Sequence, residues 1–375
     1  MFKTETNEKM NIAMFGHKHV LSREGGVEIV VKELATRMAG LGHDVTCYDR
    51  AGQHVSGEKL DNRKEFNGVR IVPVWTLEKK GLAAMTASFS AAIKAAFGKY
   101  DVVHIHAEGP AAMCWIPKIA GKKVIVTIHG LDWARAKWGG FASKYIKWGE
   151  KQAVKWADEI IVLSKGVQEY FEKEYGRKTA FIPNGVDKSE PVPAKLITEK
   201  WSLTKDSYVL FLGRIVPEKG LRYLIEAWKG IVTDKKLVIA GGSSDTDAFL
   251  DELKKISSEG VVFTGFQQGR VLEELYSNAF IYCLPSDLEG MPLSLLEAMS
   301  YGNCCVVSDI PECTEVVEDK AVVFPKGDTE RLREIIQKLI EEPETVYKYK
   351  RRAASYITNK YDWDNVVKHT LELYR

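Results

Sequence analysis

A chain of 375 residues is longer than a single hydrophobic core usually grows, so two domains of similar size with a cleft between them are expected. Apolar residues make up 45% and charged residues 28%, with no low-complexity tract, which excludes a disordered or fibrous protein. The 53 basic and 51 acidic residues leave a formal charge of +2, too even a balance for duplex nucleic acid to be the main partner.

Residues 1–10 are polar and charged with no apolar run behind them, so neither a signal peptide nor an anchor is expected and the setting reads as cytoplasmic. Residues 81–98 are weakly polar, but their small residues, Ser/Thr content and Lys94 fall short of a spanning helix. Cys47, Cys114, Cys283, Cys304, Cys305 and Cys313 have no C-x-x-C spacing and read as reduced core thiols. No metal site and no cofactor are expected.

In chain order, the apolar run 11–15 reads as a strand and 27–39 as a helix. Runs 44–48, 69–74, 102–106, 124–128 and 160–163 follow as strands. Strands alternating with helical-period segments predict an α/β fold with a parallel sheet covered on both faces. The rhythm then repeats, with strands at 208–212, 237–240, 261–263, 280–284, 304–308 and 321–324, and helices such as 218–228 and 293–301. Two doubly wound, Rossmann-like domains are predicted. Pro183-Asn184-Gly185 and the spaced Pro191 and Pro193 interrupt both periodicities and mark the hinge.

Ligands of open α/β sheets bind beyond the carboxyl ends of the strands, so the loops there are where chemistry is sought. After the first strand come Gly16, His17, Lys18 and His19, then Ser22-Arg23-Glu24-Gly25-Gly26 opening a helix. Paired glycines at a helix start let backbone N–H groups approach a diphosphate, although the spacing is not G-x-G-x-x-G and a plain turn explains such a pair equally well. In the second half a strand runs into Gly213-Arg214, followed by Pro217-Glu218-Lys219-Gly220. A guanidinium and an ammonium on one strand-to-helix loop can converge on a diphosphate and hold charge on a departing nucleotide, the alternative being a solvated surface loop with a Glu-Lys pair at the helix start.

The most specific stretch is Asp287-Leu288-Glu289-Gly290-Met291-Pro292-Leu293-Ser294-Leu295-Leu296-Glu297. Two glutamates bracket a helix start, with Pro292 suited to the first helical position. Glu289 can accept from sugar hydroxyls and Glu297 from a ribose. Glu297 shares its helix with core leucines, where an unmet carboxylate would be costly unless a ligand or donor reached it.

These residues resemble family-four retaining glycosyltransferases of the GT-B fold over nearly the whole chain. The resemblance runs through Gly25-Gly26, Thr127-Ile128-His129-Gly130, Ile182-Pro183-Asn184-Gly185-Val186-Asp187, Gly213-Arg214 with Lys219-Gly220, Ala240-Gly241-Gly242, Phe263-Thr264-Gly265 and the Glu289/Glu297 pair. It implies an acceptor domain over residues 1–187 and a nucleotide-sugar domain over 188–358. The closing segment 359–375, with Tyr361-Asp362-Trp363-Asp364, packs back on the first domain. His129, Arg214, Lys219 and Glu289 take catalytic positions. Gly25, Gly26, Gly213, Gly241, Gly265, Gly290, Met291, Pro292, Leu293, Ser294 and Glu297 take the donor, and His17, His19, Arg23, His106 and Asp132 are acceptor-side candidates. The implied reaction is metal-independent transfer with retention from a UDP-sugar, or next a dTDP-sugar, to a lipid-linked or cell-surface glycan intermediate. The nucleotide-sugar is a substrate and not a cofactor. Where the family often has an aromatic and a glycine, this chain has Met291-Pro292, which bears on the sugar moved. The first loop is similar, more loosely, to the rhamnosyltransferase and polysaccharide-assembly subset.

Residues 133–156 carry Arg135, Lys137, Lys144, Lys147, Lys151 and Lys155 against one acid, Glu150. Helical spacing puts Phe141, Tyr145, Trp148, Gln152 and Trp156 on one side, with the last four lysines as an adjacent stripe. The aromatics either pack on the sheet beneath solvated lysines, or the surface also meets anionic lipid at the inner face of the plasma membrane. His17, His19, His43, His54, His104, His106 and His369 share no metal-ligand pattern. Two other readings remain beside the transferase: the same fold used as a sugar-nucleotide epimerase or phosphorylase, and a noncatalytic sugar-nucleotide-binding protein.

Overall fold

The computed structural model describes residues 8–23, 25–52, 63–79, 81–134, 140–243 and 247–375. The chain divides into two compact units, Met1–Pro183 with Trp363–Arg375, and Asn184–Asp362.

The first unit runs β1 (Asn11–Phe15), α1 (Gly26–Gly40), β2 (Asp44–Arg50), β3 (Glu65–Phe66), β4 (Val69–Val74), α2 (Ala83–Phe97) and β5 (Val102–His106). It continues through α3 (Glu108–Ala111), α4 (Trp115–Ile119), β6 (Lys123–Ile128), α5 (Gly140–Trp156), β7 (Glu159–Val162), α6 (Lys165–Tyr175) and β8 (Ala180–Phe181). The strand order is β3-β4-β2-β1-β5-β6-β7-β8, parallel except for the β3–β4 pair. The order reverses between β1 and β5, so the loops after those two strands flank the switch point. Strand β5 is buried along its whole length, as expected for a strand covered on both faces.

The second unit runs α7 (Leu196–Trp201), β9 (Tyr208–Leu212), α8 (Leu221–Lys229), β10 (Lys236–Ala240), α9 (Asp247–Ile256), β11 (Val261–Gly265) and α10 (Gly269–Asn278). Then come β12 (Ile281–Leu284), α11 (Leu293–Ser300), β13 (Cys304–Ser308), α12 (Pro311–Val317), β14 (Val322–Phe324), α13 (Thr329–Glu341) and α14 (Pro343–Lys360). Its sheet is wholly parallel, β11-β10-β9-β12-β13-β14, which places the switch point between β9 and β12. Side-chain caps fix some helix starts: Ser164 accepts from the Val167 N–H at α6, and Asp328 from the Arg331 N–H at α13.

The last helix, α15 (Trp363–Tyr374), belongs to the first unit. Tyr374 Oη lies 2.6 Å from His104 Nδ1, and the Arg37 guanidinium stands 5.7 Å from the Trp363 ring. The boundaries differ from those expected at 187/188 and 358/359. Asn184 donates to Met291 Sδ at 3.0 Å and Val186 to the Tyr361 carbonyl at 2.7 Å, so both crossing segments are held in the second unit until Asp362.

The helix expected over 218–228 is interrupted. Pro217–Lys219 form a 3-10 turn, Gly220 turns left-handed at φ 67°, and α8 starts only at Leu221. All six cysteines are free and buried. Among the described residues no helix is long and apolar enough to cross a membrane, and no cluster of three or more His, Cys, Asp or Glu could hold a metal ion.

Candidate active site

In the second unit the loops after β9 and β12 carry the expected cations and acids. Gly213 donates to the Ala240 carbonyl at 3.0 Å and Ile215 to that of Gly242 at 2.9 Å, stitching the β9 and β10 loops together. A Cβ on Gly241 would come within 1.8 Å of the Gly213 carbonyl oxygen, and one on Gly220 within 1.8 Å of the Pro285 oxygen. Glycine is therefore required where the backbones meet. The Asp287 N–H donates to the Glu218 carbonyl at 2.8 Å, which ties the two switch-point loops to each other.

That approach brings Lys219 Nζ within 2.6 Å of Glu289 Oε1, with 13% and 7% of their side chains exposed. Ser286 Oγ holds the same oxygen at 2.6 Å. Arg214 is half-buried on the β9 loop and Gly265 lies exposed at the end of β11, φ 72°. Gly290, Met291, Pro292 and Leu293 are buried. Pro292 is the N-cap of α11 and not its first helical residue, with extended φ and ψ of −78° and 94°. Ser294 Oγ lies 2.8 Å from the Tyr282 hydroxyl. Glu297 is half-buried, and Tyr276 Oη donates to its Oε2 at 3.0 Å, so the protein itself provides the donor that this carboxylate requires. Tyr276 is in turn stacked on Tyr301 at 5.4 Å.

In the first unit the switch-point loops after β1 and β5 meet at Gly16, where φ is 115° and a Cβ would lie 2.0 Å from the His106 carbonyl oxygen. His17 Nε2 lies 2.8 Å from Asp49 Oδ1, which also accepts from the Val20 N–H at 3.1 Å. His19 is buried and Arg23 half-buried in the same loop. Gly25 is the N-cap of α1 and Gly26 its first residue, with no side-chain cap. Glu28 turns back toward this end, taking the Lys18 N–H at 2.9 Å and lying where a Gly25 Cβ would be, so an acid already faces the dipole expected to meet a diphosphate.

His106 Nδ1 lies 3.1 Å from His129 Nε2, and His104 is fixed between Tyr374 and Thr127. Burial, with neighbouring imidazoles second, holds His104 down to about 3 and His106 well below the usual imidazole range, so both are neutral at pH 7. Among the described residues His17 Nδ1 and His106 Nε2 are buried with no hydrogen-bond partner, which leaves polar nitrogens for a hydroxyl. Beyond His106, Ala107 takes φ 76° and Glu108 is fully buried. Glu108 Oε2 accepts the Asp132 N–H at 2.8 Å, and its carboxyl also faces that of Glu150. Burial first, then the Glu150 contact, pushes the Glu108 carboxyl up so that it keeps its proton beside Glu150.

Asp49, Glu108, Tyr276 and Ser286 contact the candidate site residues and were not singled out from the sequence. For Glu108 a signal existed, an acid two residues beyond a histidine at a buried strand's end. Ser286 and Tyr276 had none, since their importance comes from contacts made by the fold. The lysine stripe also needs correction. Lys147 lies over the Trp133, Tyr170 and Tyr175 rings at 4.6, 4.7 and 5.3 Å and pairs with buried Glu150 at 2.8 Å. Trp148 points outward at 43% exposure, because steps of four, three and four residues place it in line with Lys144, Lys151 and Lys155. Arg135, Lys137, His54, Glu24 and the Phe141 side chain lie outside the described residues.

A family model described as Glycosyltransferase Family 4 matches residues 24–190, and one described as Glycosyl transferases group 1 matches residues 195–356. The alpha-maltose-1-phosphate synthase of Mycobacterium tuberculosis is 25% identical over 98% of this chain and 99% of its own. The sucrose-phosphate synthase of Thermosynechococcus elongatus superposes with a TM-score of 0.82 at 19% identity, covering 98% of both chains. Anabaena HepE in complex with UDP-glucose superposes at 0.79 and 17% identity, covering 97% of this chain and 99% of that one.

Proposed function

The chain belongs to the GT-B glycosyltransferases, matching family four in its first half and group 1 in its second, and from this premise we propose a metal-independent, retaining transfer from a UDP-sugar. A dTDP-sugar is the next choice. The acceptor is a lipid-linked or cell-surface glycan intermediate handled at the cytoplasmic face of the plasma membrane, and no cofactor takes part. A UDP-glucose complex among the structural neighbours supports the donor class.

The observation that carries this reading is the Lys219–Glu289 pair at the switch point of the second sheet. A buried cation neutralised by a buried acid is poised for exchange. The donor's diphosphate takes Lys219 together with Arg214, and Glu289, still held by Ser286, turns to the sugar hydroxyls. Glu297, oriented by Tyr276, accepts from the ribose, with Gly241 and Gly265 beside the base. In the first unit His17, His19, Arg23, His106 and Asp132 serve the acceptor, whose hydroxyls suit the neutral His106 imidazole.

In the reaction the acceptor oxygen bonds to the anomeric carbon as the bond from that carbon to the diphosphate oxygen breaks. The acceptor's proton passes to a phosphate oxygen of the leaving nucleoside diphosphate. Arg214 and Lys219 hold the charge that develops there. The test is release of nucleoside diphosphate with donor alone and with acceptor, followed by NMR of the product. Release that needs acceptor, a product keeping the donor's configuration, and a loss of roughly 10²–10³ in turnover for folded Arg214→Ala or Lys219→Ala are expected. Inversion would refute the mechanism and make His17 or His19 candidate bases; unchanged turnover in both variants would refute the roles given to Arg214 and Lys219, and no release with any acceptor would refute catalysis itself.

A further inference from the structure

Helix α2 is patterned inside out. It turns Ala87, Ala91, Ala92, Ala95 and Ala96 to the core and leaves Phe89, Ile93 and Phe97 outward, Phe97 at 87% exposure. These three recur every four residues and form one stripe. On α4, Trp115 and Ile119 repeat the arrangement, with Ile119 at 66% exposure. Helix α2 packs on α4 and α4 on α5, and all three bury residues in one common core cluster, so their outward faces belong to one surface of the first unit. Large apolar groups collected on the outside in this way are unusual for a solvated face.

The charges on these helices are almost all of one sign, with Asp158 just after α5 paired to Lys118 of α4. Residues 79–100 and 109–131 contain no acid, and the single acid of 133–157, Glu150, is fully buried. Lys94 is exposed beside the α2 stripe, and Lys144, Lys151 and Lys155 alternate with exposed Trp148 on α5. In a chain whose net charge is only +2, this is a concentrated basic and aromatic face.

We propose that the outward faces of α2, α4 and α5 form a docking surface for an anionic lipid bilayer, with Phe89, Ile93, Phe97, Trp115 and Ile119 entering the headgroup region and the lysines meeting lipid phosphates. Lys147 takes no part, because Glu150 and the three rings hold it. A second copy of the chain is a poorer occupant, since two-fold pairing would set lysine against lysine with no exposed acid on the helices to answer them. The docking stands apart from the catalytic reading: it needs neither donor nor acceptor.

The experiment is co-sedimentation of the full chain with vesicles of phosphatidylcholine alone and of phosphatidylcholine containing about a third phosphatidylglycerol. Binding is expected only to the anionic vesicles, weakening as salt rises. Ile93→Ser with Phe97→Ser should weaken it by at least about tenfold, and Lys144→Glu with Lys151→Glu should weaken it and flatten its salt dependence. Both double variants should keep wild-type melting temperatures and bind UDP as wild type does. Equal binding to neutral vesicles, no binding, or a dimer in sedimentation velocity that the Ile93/Phe97 variant splits would overturn the proposal. Loss of catalysis in Arg214→Ala with vesicle binding intact would separate the two readings.

Discussion

Glu108 shows how a single residue's surroundings decide its chemistry. Its raised pKa means that the folded chain keeps a proton that the unfolded chain releases above the ordinary carboxyl range near 4.5. Its contribution to stability is thus fully present below that value and falls as pH rises toward the raised value. A glutamine in its place would copy the protonated acid, accepting from the Asp132 N–H and turning its amide N–H toward Glu150, without ever ionising. Glu108→Gln should therefore match wild type in thermal unfolding at pH 4.5 and exceed it at pH 8 by about 2 kcal/mol, short of the limit of about 1.4 per pH unit. Parallel pH profiles for the two proteins would show that Glu108 carries no such proton.

At the scale of elements, the loops after β9 and β12 are positioned by backbone contact. Gly220 combines a left-handed φ of 67° with a Cβ position 1.8 Å from the Pro285 oxygen, so a methyl group must push the β12 loop away. Gly220→Ala should cost about 3 kcal/mol or more in urea unfolding. It should also weaken nucleotide binding, because the displaced loop separates Lys219 from Glu289. Gly260 has a similar φ of 92° with nothing near its Cβ position, so Gly260→Ala should cost about 1 kcal/mol and leave binding unchanged. Equal effects at both sites would mean that the close approach at Gly220 is not what places the pair.

For the whole molecule, α15 is a C-terminal element that completes the N-terminal unit. Val366, Val367 and Leu371 are buried, and Tyr374 reaches His104 beneath the candidate acceptor residues. Ending the chain after Asp362 should lower the melting temperature of the first unit and leave His104 without its tyrosine partner. The second unit contains all of its own strands and should unfold unchanged, giving two resolved transitions in calorimetry. A single cooperative shift of both units would contradict this.

Much was legible in order along the chain. The runs 11–15, 69–74, 102–106, 208–212 and 304–308 coincide with strands β1, β4, β5, β9 and β13, because apolar runs, continuous in covered strands and interrupted by exposed Arg70 and Pro73 in β4, are a local signal. The loop motifs likewise identified Arg214, Lys219, Glu289 and Glu297 as neighbours of a strand end. Tertiary structure alone decided which of these meet. Lys219 and Glu289 are seventy residues apart and touch because the sheet order sets β9 beside β12. Glu297 is met by Tyr276 from another helix, and Lys147 is drawn into an aromatic cage while Trp148 faces out. The physical reason is that periodicity reports which face of an element is apolar, whereas pairing depends on crossovers and close backbone approaches that no local window contains.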